Sequence, residues 1–359
     1  MANETLDLTP KDESNFFVRV LKYFVPLKGD GAGEILRKIV FISAVVVFCV
    51  SLGELNDFLQ PSEEDMTYVQ KMQEDLQPDF DTVLPVSSGT DVSPEDESPE
   101  AQLKERVVQP WAKKLLKRNS DSVGWISIPD WTDNNGNLYI NYPVLQYVSD
   151  DPSIGNEYYL KKNIDKEYYE SGSIYADCMV PIDEEGQADN ITIYGHHMRS
   201  LGTAFTHLAE YKQGVDFLKK HPVIEFNTIF DNNEKYVIIG CYIANKDESQ
   251  DNGKLFDFWR YRNFDEDHTF ENFITNVRKY SWYSSEVECD EDDDYITLQI
   301  CSNEVEGLRW VITAKRMDAD DNLDLIVKSY KEKADKDVYF PKCWRDVWGN
   351  TKQYFGWAY

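Results

Sequence analysis

The sequence is poor in basic residues, in paired cysteines and in long apolar runs. It has 37 Lys and Arg against 65 Asp and Glu, for a formal net charge of -28 over 359 residues. Charge of this sign repels nucleic-acid phosphates and argues against a nucleic-acid partner. The six cysteines form no CxxC pair, which leaves a zinc ribbon or a disulfide scaffold without support. Because the chain has one long apolar run, a polytopic membrane protein is also excluded.

The acidic residues are concentrated in one segment. Residues 54–100 contain fourteen acidic side chains and a single basic residue, Lys71, which gives this stretch a net charge of -13. It also holds five prolines, and it buries too little apolar surface to offset the entropy of ordering it. The composition therefore predicts an acidic, extended linker over residues 56–100. A short helix at residues 66–76 is the alternative for part of it.

The most apolar stretch, residues 39–53, has the sequence IVFISAVVVFCVSLG. As a helix it is about 22 Å long, and its apolar flanks at residues 35–55 bring it closer to the roughly 30 Å hydrocarbon core of a bilayer. A buried core element and a secretory signal are the alternatives. However, the acidic linker cannot cover the run, and the run starts late and lacks a clear cleavage site. We predict a transmembrane anchor at residues 35–55.

The charges around this run predict its orientation in the membrane. Lys28, Arg37 and Lys38 lie on its N-terminal side, and Glu54 follows it. The positive-inside rule then places residues 1–34 in the cytoplasm and everything after the anchor outside the cell. The predicted location is the cell membrane, with a single pass and an extracellular globular part.

From residue 101 onwards, short runs rich in β-branched and aromatic residues alternate with turn signals. Seven or eight such runs follow at fairly regular intervals, among them YINYPVLQYV, NITIYGHHM, KYVIIGCYIAN, YITLQIC and RWVITAK. This spacing is typical of a closed β-barrel or a sandwich. Apolar residues at helical spacing predict N-terminal helical packing around Trp111 and a long helix between two late strands, from Phe270 to Tyr280. The predicted fold is mainly β, with a closed barrel of seven to eight strands.

Three residues at predicted strand ends form a candidate site. Cys301 ends the TLQIC strand, Arg309 opens the next strand, and His196 follows the NITIYG strand. A cysteine nucleophile needs a proton donor or acceptor and a cation for the developing oxyanion, and these residue types supply both. Taken singly, a core cysteine, a structural histidine and a surface arginine are the commoner interpretations.

Together, YGHHM, TLQIC and the arginine eight residues on resemble the motifs of the sortases, the cysteine transpeptidases of Gram-positive cell surfaces. The order of VGWISI, INYPV, EYYL, SGSIYAD, ITIYGHHM, GTAF and HLAEY is similar to that of class B sortases. This resemblance covers roughly residues 103–316. It implies that His196, rather than His197, is the catalytic histidine, that Cys301 is the nucleophile and that Arg309 stabilises the oxyanion or positions the substrate.

The resemblance also implies the activity and its partners. A sortase-like catalytic domain, residues 101–317, would cleave the C-terminal sorting signal of a secreted protein through a thioacyl intermediate. It would then join the new carboxyl end to an amine of a peptidoglycan precursor or a pilin. No metal or organic cofactor is implied. A hydrolytic surface cysteine peptidase and a non-catalytic sortase-like binding module are the alternatives.

Two features depart from this pattern. Ile300 stands where the family usually has threonine before the cysteine, which predicts altered substrate positioning. Residues 318–359 form an extension with eight aromatic residues in its last 21 positions, and we expect it to pack on the barrel, because so many exposed aromatic side chains favour aggregation. Those residues are Tyr339, Phe340, Trp344, Trp348, Tyr354, Phe355, Trp357 and Tyr359.

Overall fold

The computed structural model describes residues 23–27, 29–59, 63–80, 106–197, 202 and 204–353. The chain divides into two compact units, Met1–Pro61 and Ser62–Tyr359. The first contains a long helix, α1 (Ala32–Leu59). Apolar side chains such as Val46 and Phe48 are exposed along it. Its apolar part, Ala32–Gly53, has the length and composition of a membrane-crossing helix, and a secretory signal would share both properties.

In its described residues, the second unit combines ten strands with short helices. Its helices and strands are, in chain order, α2 (Glu63–Leu76), α3 (Ala112–Arg118), β1 (Ser122–Ser127), β2 (Asn141–Leu145), α4 (Pro152–Tyr158), β3 (Ile174–Ala176), β4 (Asn190–Tyr194), α5 (Val215–Lys220), β5 (Val223–Thr228), β6 (Lys235–Asn245), α6 (Phe270–Tyr280), β7 (Tyr283–Ser284), β8 (Tyr295–Cys301), β9 (Leu308–Arg316), α7 (Leu323–Ser329), β10 (Lys331–Glu332) and α8 (Lys342–Trp348). Short 3-10 helices lie at Thr206–Gln213, Glu248–Asp251, Phe258–Arg260 and Asp335–Asp337.

Eight of these strands close into a barrel in the order β1-β2-β3-β4-β8-β9-β6-β5. Most neighbours are antiparallel, but β2 runs parallel to β3 and β4 runs parallel to β8. The predicted barrel of seven to eight strands is thereby confirmed, and so is the long helix between late strands, α6. That helix packs closely on β6, because a Cβ added at Gly240 would lie 2.7 Å from the Val277 side chain. Large side chains are buried on both faces of the barrel sheet, including Trp125 on one face and Trp310 on the other, each 1% exposed.

Helix α2 differs from the extended linker that the acidic composition predicts. Its side chains Val69, Met72 and Leu76 are at most 8% exposed, so one face is buried. Gln73 also donates from Nε2 to the backbone oxygen of Asn141 in β2, at 2.7 Å. The composition of residues 56–100 predicts no helix because it is averaged over the whole segment. The prolines lie on either side of α2 and do not interrupt it, and its apolar stripe of three residues is enough to pack it on the barrel. Residues 60–62 and 81–100 of the predicted linker lie outside the described residues.

The docking of α2 predicts that this helix stabilises the barrel. We expect Met72→Ala to lower the free energy of unfolding by about 2–4 kcal/mol, because it removes a buried side chain and leaves a cavity. Met66 lies on the same helix but is 43% exposed, so Met66→Ala should change stability by less than about 0.5 kcal/mol. Urea unfolding of both variants provides the measurement. Equal effects at the two positions would mean that α2 is not docked in solution.

The C-terminal extension packs on the barrel as far as the structure describes it. Phe340 and Trp344 are at most 1% exposed, and Trp344 makes an edge-on contact with Trp282, with ring centroids 6.1 Å apart. Buried Asp251 ties the extension down, accepting hydrogen bonds from the Tyr339 hydroxyl at 2.6 Å and the Lys342 backbone at 2.7 Å. The expected packing is confirmed for these residues. The remaining aromatic residues, Tyr354, Phe355, Trp357 and Tyr359, lie outside the described part of the chain.

Candidate active site

A cleft of about 920 Å³ opens at one end of the barrel. This end, called the rim below, is formed by the C-terminal ends of β4, β6 and β8 and by the start of β9. These ends meet because β4 and β8 are parallel while β9 runs antiparallel to β8 and β6. All three candidate residues from the sequence line the cleft, together with Tyr194, Glu157 and Lys246.

Cys301 and Arg309 are direct partners across the rim. Cys301 is the last residue of β8 and is exposed, and the register pairs it with Arg309 on β9. Neighbouring strands lie about 4.8 Å apart, so the two side chains leave the sheet close together. The expectation that the two residues sit on adjacent strands is confirmed.

His196 reaches the cleft from the other side of β8. It follows β4 after Gly195, where a Cβ would lie 2.6 Å from the Phe205 ring, so the close approach of that ring requires glycine. His196 is half-buried, and its Nε2 lies 2.8 Å from the backbone oxygen of Leu160. Because a carbonyl oxygen only accepts hydrogen bonds, Nε2 carries hydrogen and Nδ1 is the nitrogen that gains and loses a proton.

Burial lowers the pKa of His196 below its ordinary value of 6.5. The hydrogen bond to Leu160 opposes this shift, Lys161 adds to it and Glu170 opposes it. The imidazole is therefore mostly neutral at pH 7 in the free protein. Lys161 and Glu170 form an exposed ion pair with 3.0 Å between Nζ and Oε1.

The charges of Lys161 and Glu170 shift the pKa of His196 in opposite directions, so their removal should have opposite effects on that pKa. We expect Lys161→Gln to raise the pKa of His196, because it removes a positive charge that disfavours the imidazolium. We expect Glu170→Gln to lower it, because it removes a negative charge that favours the imidazolium. An NMR titration of the His196 ring provides the measurement, and shifts in the same direction would contradict the electrostatic explanation. Both shifts should shrink at high salt, since both side chains are exposed.

Arg309 is half-buried and donates from Nη1 to the backbone oxygen of Leu308 at 3.1 Å. Within the described part of the chain, no carboxylate forms an ion pair with it. Its remaining guanidinium donors are thus available to an oxygen placed in the cleft.

The loop that joins Cys301 to Arg309 is held by a buried ion pair. Lys212 Nζ and Glu304 Oε1 lie 2.6 Å apart, with side chains 0% and 4% exposed. Ser302 donates from its hydroxyl to the other Glu304 oxygen at 2.6 Å. Burial alone would raise the pKa of Glu304, but Lys212 and Ser302 hold that pKa below its ordinary value of 4.5. The loop is therefore fixed from inside the protein.

The cleft wall contains a second buried carboxylate, Asp177, which is 1% exposed. It accepts hydrogen bonds from the Tyr194 hydroxyl at 2.7 Å and from Asn156 Nδ2 at 3.0 Å. Arg262 lies 3.6 Å away as its charge partner. Because its oxygens are engaged, Asp177 organises the wall rather than serving as a second acid or base.

The unusual residue Ile300 does not face the cleft. Its side chain is 0% exposed, because side chains alternate along β8 and that of Cys301 points the other way. The altered substrate positioning predicted from this substitution is therefore not supported by the structure, since a threonine hydroxyl there would lie in the barrel interior.

An exposed cysteine, a histidine and an arginine that has no ion pair among the described residues lie on neighbouring parts of one rim. These are the residue types that cysteine acyl transfer requires. The chain matches no protein-family model. It is 32% identical to sortase B of Listeria monocytogenes over 205 residues, which span 56% of this chain and 72% of that protein. It is 29% identical to sortase B of Staphylococcus aureus over 197 residues, spanning 55% and 69% of the two.

Solved structures of the same family are also similar. A Staphylococcus aureus sortase B–substrate complex is 26% identical, with a TM-score of 0.48 and coverage of 59% of this chain and 87% of that one. Sortase B from Listeria monocytogenes is 31% identical, with a TM-score of 0.44 and coverage of 56% and 97%. On the strength of the 32% sequence relationship, the chain belongs to the sortase B family. It is a cysteine transpeptidase of the cell surface.

Proposed function

We propose that Cys301, His196 and Arg309 carry out acyl transfer as nucleophile, proton donor and acceptor, and oxyanion or substrate-backbone donor, respectively. The observation that carries this proposal is the exposed Cys301 in the cleft, paired in register with an Arg309 that has no ion pair among the described residues.

The first half-reaction forms a thioacyl enzyme. Neutral His196 takes the proton of the Cys301 thiol at Nδ1, and the resulting thiolate attacks the scissile carbonyl carbon. The new oxyanion accepts hydrogen bonds from Arg309. The C–N bond then breaks, and the leaving amine takes a proton from His196 Nδ1. The acyl group stays bound to sulfur, and His196 is left neutral, the form that its lowered pKa favours.

The second half-reaction returns the enzyme to its starting state. An incoming amine attacks the thioester carbon, and neutral His196 accepts the proton that this nitrogen loses. The C–S bond then breaks and a new amide is formed. The released thiolate takes the proton back from His196, which restores the thiol and the neutral imidazole. If water attacks instead, the same steps give hydrolysis.

The proposed acyl donor is the C-terminal sorting signal of a secreted protein. The proposed amine belongs to a peptidoglycan precursor or a pilin. The apolar helix α1 would hold the enzyme in the membrane by a single pass, with the basic flank of Arg37 and Lys38 inside and the barrel outside. The division into a cytoplasmic segment, an anchor, a linker, a catalytic domain and an extension remains a prediction.

A transfer assay tests this function. The full-length protein in phospholipid vesicles is incubated with a peptide that carries a C-terminal sorting signal of the NPxTx kind, with and without a peptidoglycan stem peptide that offers a free amine. We expect a ligated product and a thioacyl enzyme that mass spectrometry detects. Cleavage to the free acid alone, in the presence of the amine, would identify a hydrolytic peptidase. A series of NPxTx and LPxTG peptides of which none acylates Cys301 would support the non-catalytic binding module.

A further inference from the structure

Strand β8 loses its main-chain partner on one edge at the residue that carries the thiol. Along the parallel pair of β4 and β8, the backbone N–H of Gly195 donates to the Gln299 oxygen at 3.2 Å. Two residues further along β8, the next carbonyl on this edge is that of Cys301. If β4 continued, the backbone N–H of residue 197 would donate to it. However, β4 ends at Tyr194, and the chain turns to carry His196 into the cleft.

The side chain of His197 takes the place of this missing hydrogen bond. Its Nδ1 lies 2.8 Å from the Cys301 backbone oxygen, which means that Nδ1 carries the hydrogen. The ring is 7% exposed, so water does not compete freely for the Cys301 oxygen. Asn303, two residues after Cys301, approaches the His197 backbone oxygen with Nδ2 at 3.5 Å.

We propose that His197 is a positioning residue for the transpeptidase, a role that rests on the proposed function of Cys301 and His196. The imidazole of His197 bonds the last carbonyl of β8 and so keeps the backbone at Cys301 in its strand conformation. The backbone that follows β4 is then no longer needed for this hydrogen bond, and it turns to place His196 in the cleft. The other edge of β8 is fixed by β9, through the pairing of Cys301 with Arg309. With both edges held, the Cα–Cβ bond of Cys301 keeps one direction relative to Nδ1 of His196.

Three substitutions separate positioning from packing. His197→Ala and His197→Leu both remove the donor, and leucine also fills the space. His197→Asn keeps a donor, because its Nδ2 is separated from Cα by the same number of bonds as Nδ1 of histidine. We expect kcat for transfer by the full-length protein in vesicles to fall about 10- to 100-fold in the alanine and leucine variants, with KM unchanged. The asparagine variant should stay within about threefold of the wild type.

A second buried histidine provides the matched control. His207 is also 7% exposed, but it packs on the rings of Tyr139 and Trp131, with centroids 4.1 Å and 5.9 Å away. His207→Ala removes the same side chain from a similar burial, and its kcat per folded molecule should stay near that of the wild type. Alkylation of Cys301 by iodoacetamide should change less than about twofold in the folded His197 variants, because the thiol remains exposed.

The proposal is overturned by a leucine variant with wild-type kcat, by an asparagine variant as slow as leucine, or by a rise in KM at constant kcat. If His197→Ala unfolds, the comparison of kcat between His197→Leu and His197→Asn still tests the proposal. Failure of the proposed function would give a different result from failure of this proposal. In that case Cys301→Ala would still transfer peptide, and kcat of the His197 variants would not depend on whether the side chain keeps a donor.

Discussion

We expect Cys301→Ala to abolish both thioacyl formation and transfer. Among the described residues that line the cleft, Cys301 is the only cysteine, and a thioacyl intermediate requires a thiol. Mass spectrometry of the enzyme after incubation with a sorting-signal peptide should show no added acyl group, and product formation should be at background. Cys178 is the control, because this cysteine is buried and Cys178→Ala should retain transfer. Full activity of Cys301→Ala would end the proposed assignment of the nucleophile.

Substitutions of His196 and of Arg309 should impair the transfer reaction in different ways. His196→Ala should leave Cys301 open to alkylation but reduce turnover to near background, because the leaving amine then lacks a proton donor. Arg309→Lys keeps the charge but loses the planar fork, and we expect the transfer rate to fall about 10² to 10³-fold. Arg316 lies at the far end of the same strand. Arg316→Lys should therefore transfer normally, and an equal loss in both variants would refute directed hydrogen bonding by Arg309.

The second large effect concerns the buried pair of Lys212 and Glu304. We expect Lys212→Met to lower the free energy of unfolding by about 3–5 kcal/mol, because Glu304 would remain buried without its counter-ion. The transfer rate should fall as well, since this pair holds the loop between Cys301 and Arg309. Chemical denaturation and the transfer assay measure the two effects.

Two controls test this explanation. Lys342 and Asp346 form an exposed ion pair, with side chains 44% and 56% exposed, so Lys342→Met should cost less than about 1 kcal/mol. The double variant Lys212→Met and Glu304→Leu removes both buried charges and should recover much of the lost stability. A double variant that is less stable than Lys212→Met would mean that packing, rather than the unpaired charge, causes the loss.

The stabilisation of the fold by the ion pair of Lys212 and Glu304 should decrease at acidic pH. The pKa of Glu304 is lower in the folded protein than its ordinary value of 4.5. The pair therefore stabilises the fold fully above about pH 4.5, and this contribution is lost as the pH falls through the lowered folded value. In Lys212→Met the unpaired carboxyl escapes part of its burial cost by taking up a proton. The difference in stability between wild type and variant should thus shrink on acidification.

The sequence predicts the barrel and the neighbourhood of Cys301 because both rest on local patterns. Alternating apolar residues define the strands, and the short connection between β8 and β9 makes them antiparallel neighbours, which brings Cys301 and Arg309 together. The place of His196 beside Cys301 is predicted only through the resemblance of its motif to that of the family. No local sequence pattern indicates that β4 pairs in parallel with β8.

Other features of the site have no sequence pattern that would reveal them. The hydrogen bonds of His196 to Leu160 and of His197 to Cys301 join segments 36 and 104 residues apart. The ion pair of Lys212 and Glu304 spans 92 residues. Such contacts depend on how loops pack after the barrel has formed. The docked helix α2 was obscured for a different reason, because its three buried side chains are few among many acidic neighbours.

The parallel pairing of β4 with β8 also affects how the enzyme acquires activity during folding. Contacts between residues so distant in sequence carry a large loop-closure cost and form late in β-rich proteins. Cys301 comes beside His196 when β8 pairs with β4. This pair and the β1–β5 pair are the two seams that join β1–β4 to the later strands of the barrel. A partly folded chain thus has a cysteine but no proton donor beside it. Recovery of transfer activity after denaturation should follow the slowest structural phase of refolding, so activity serves as a readout of barrel closure.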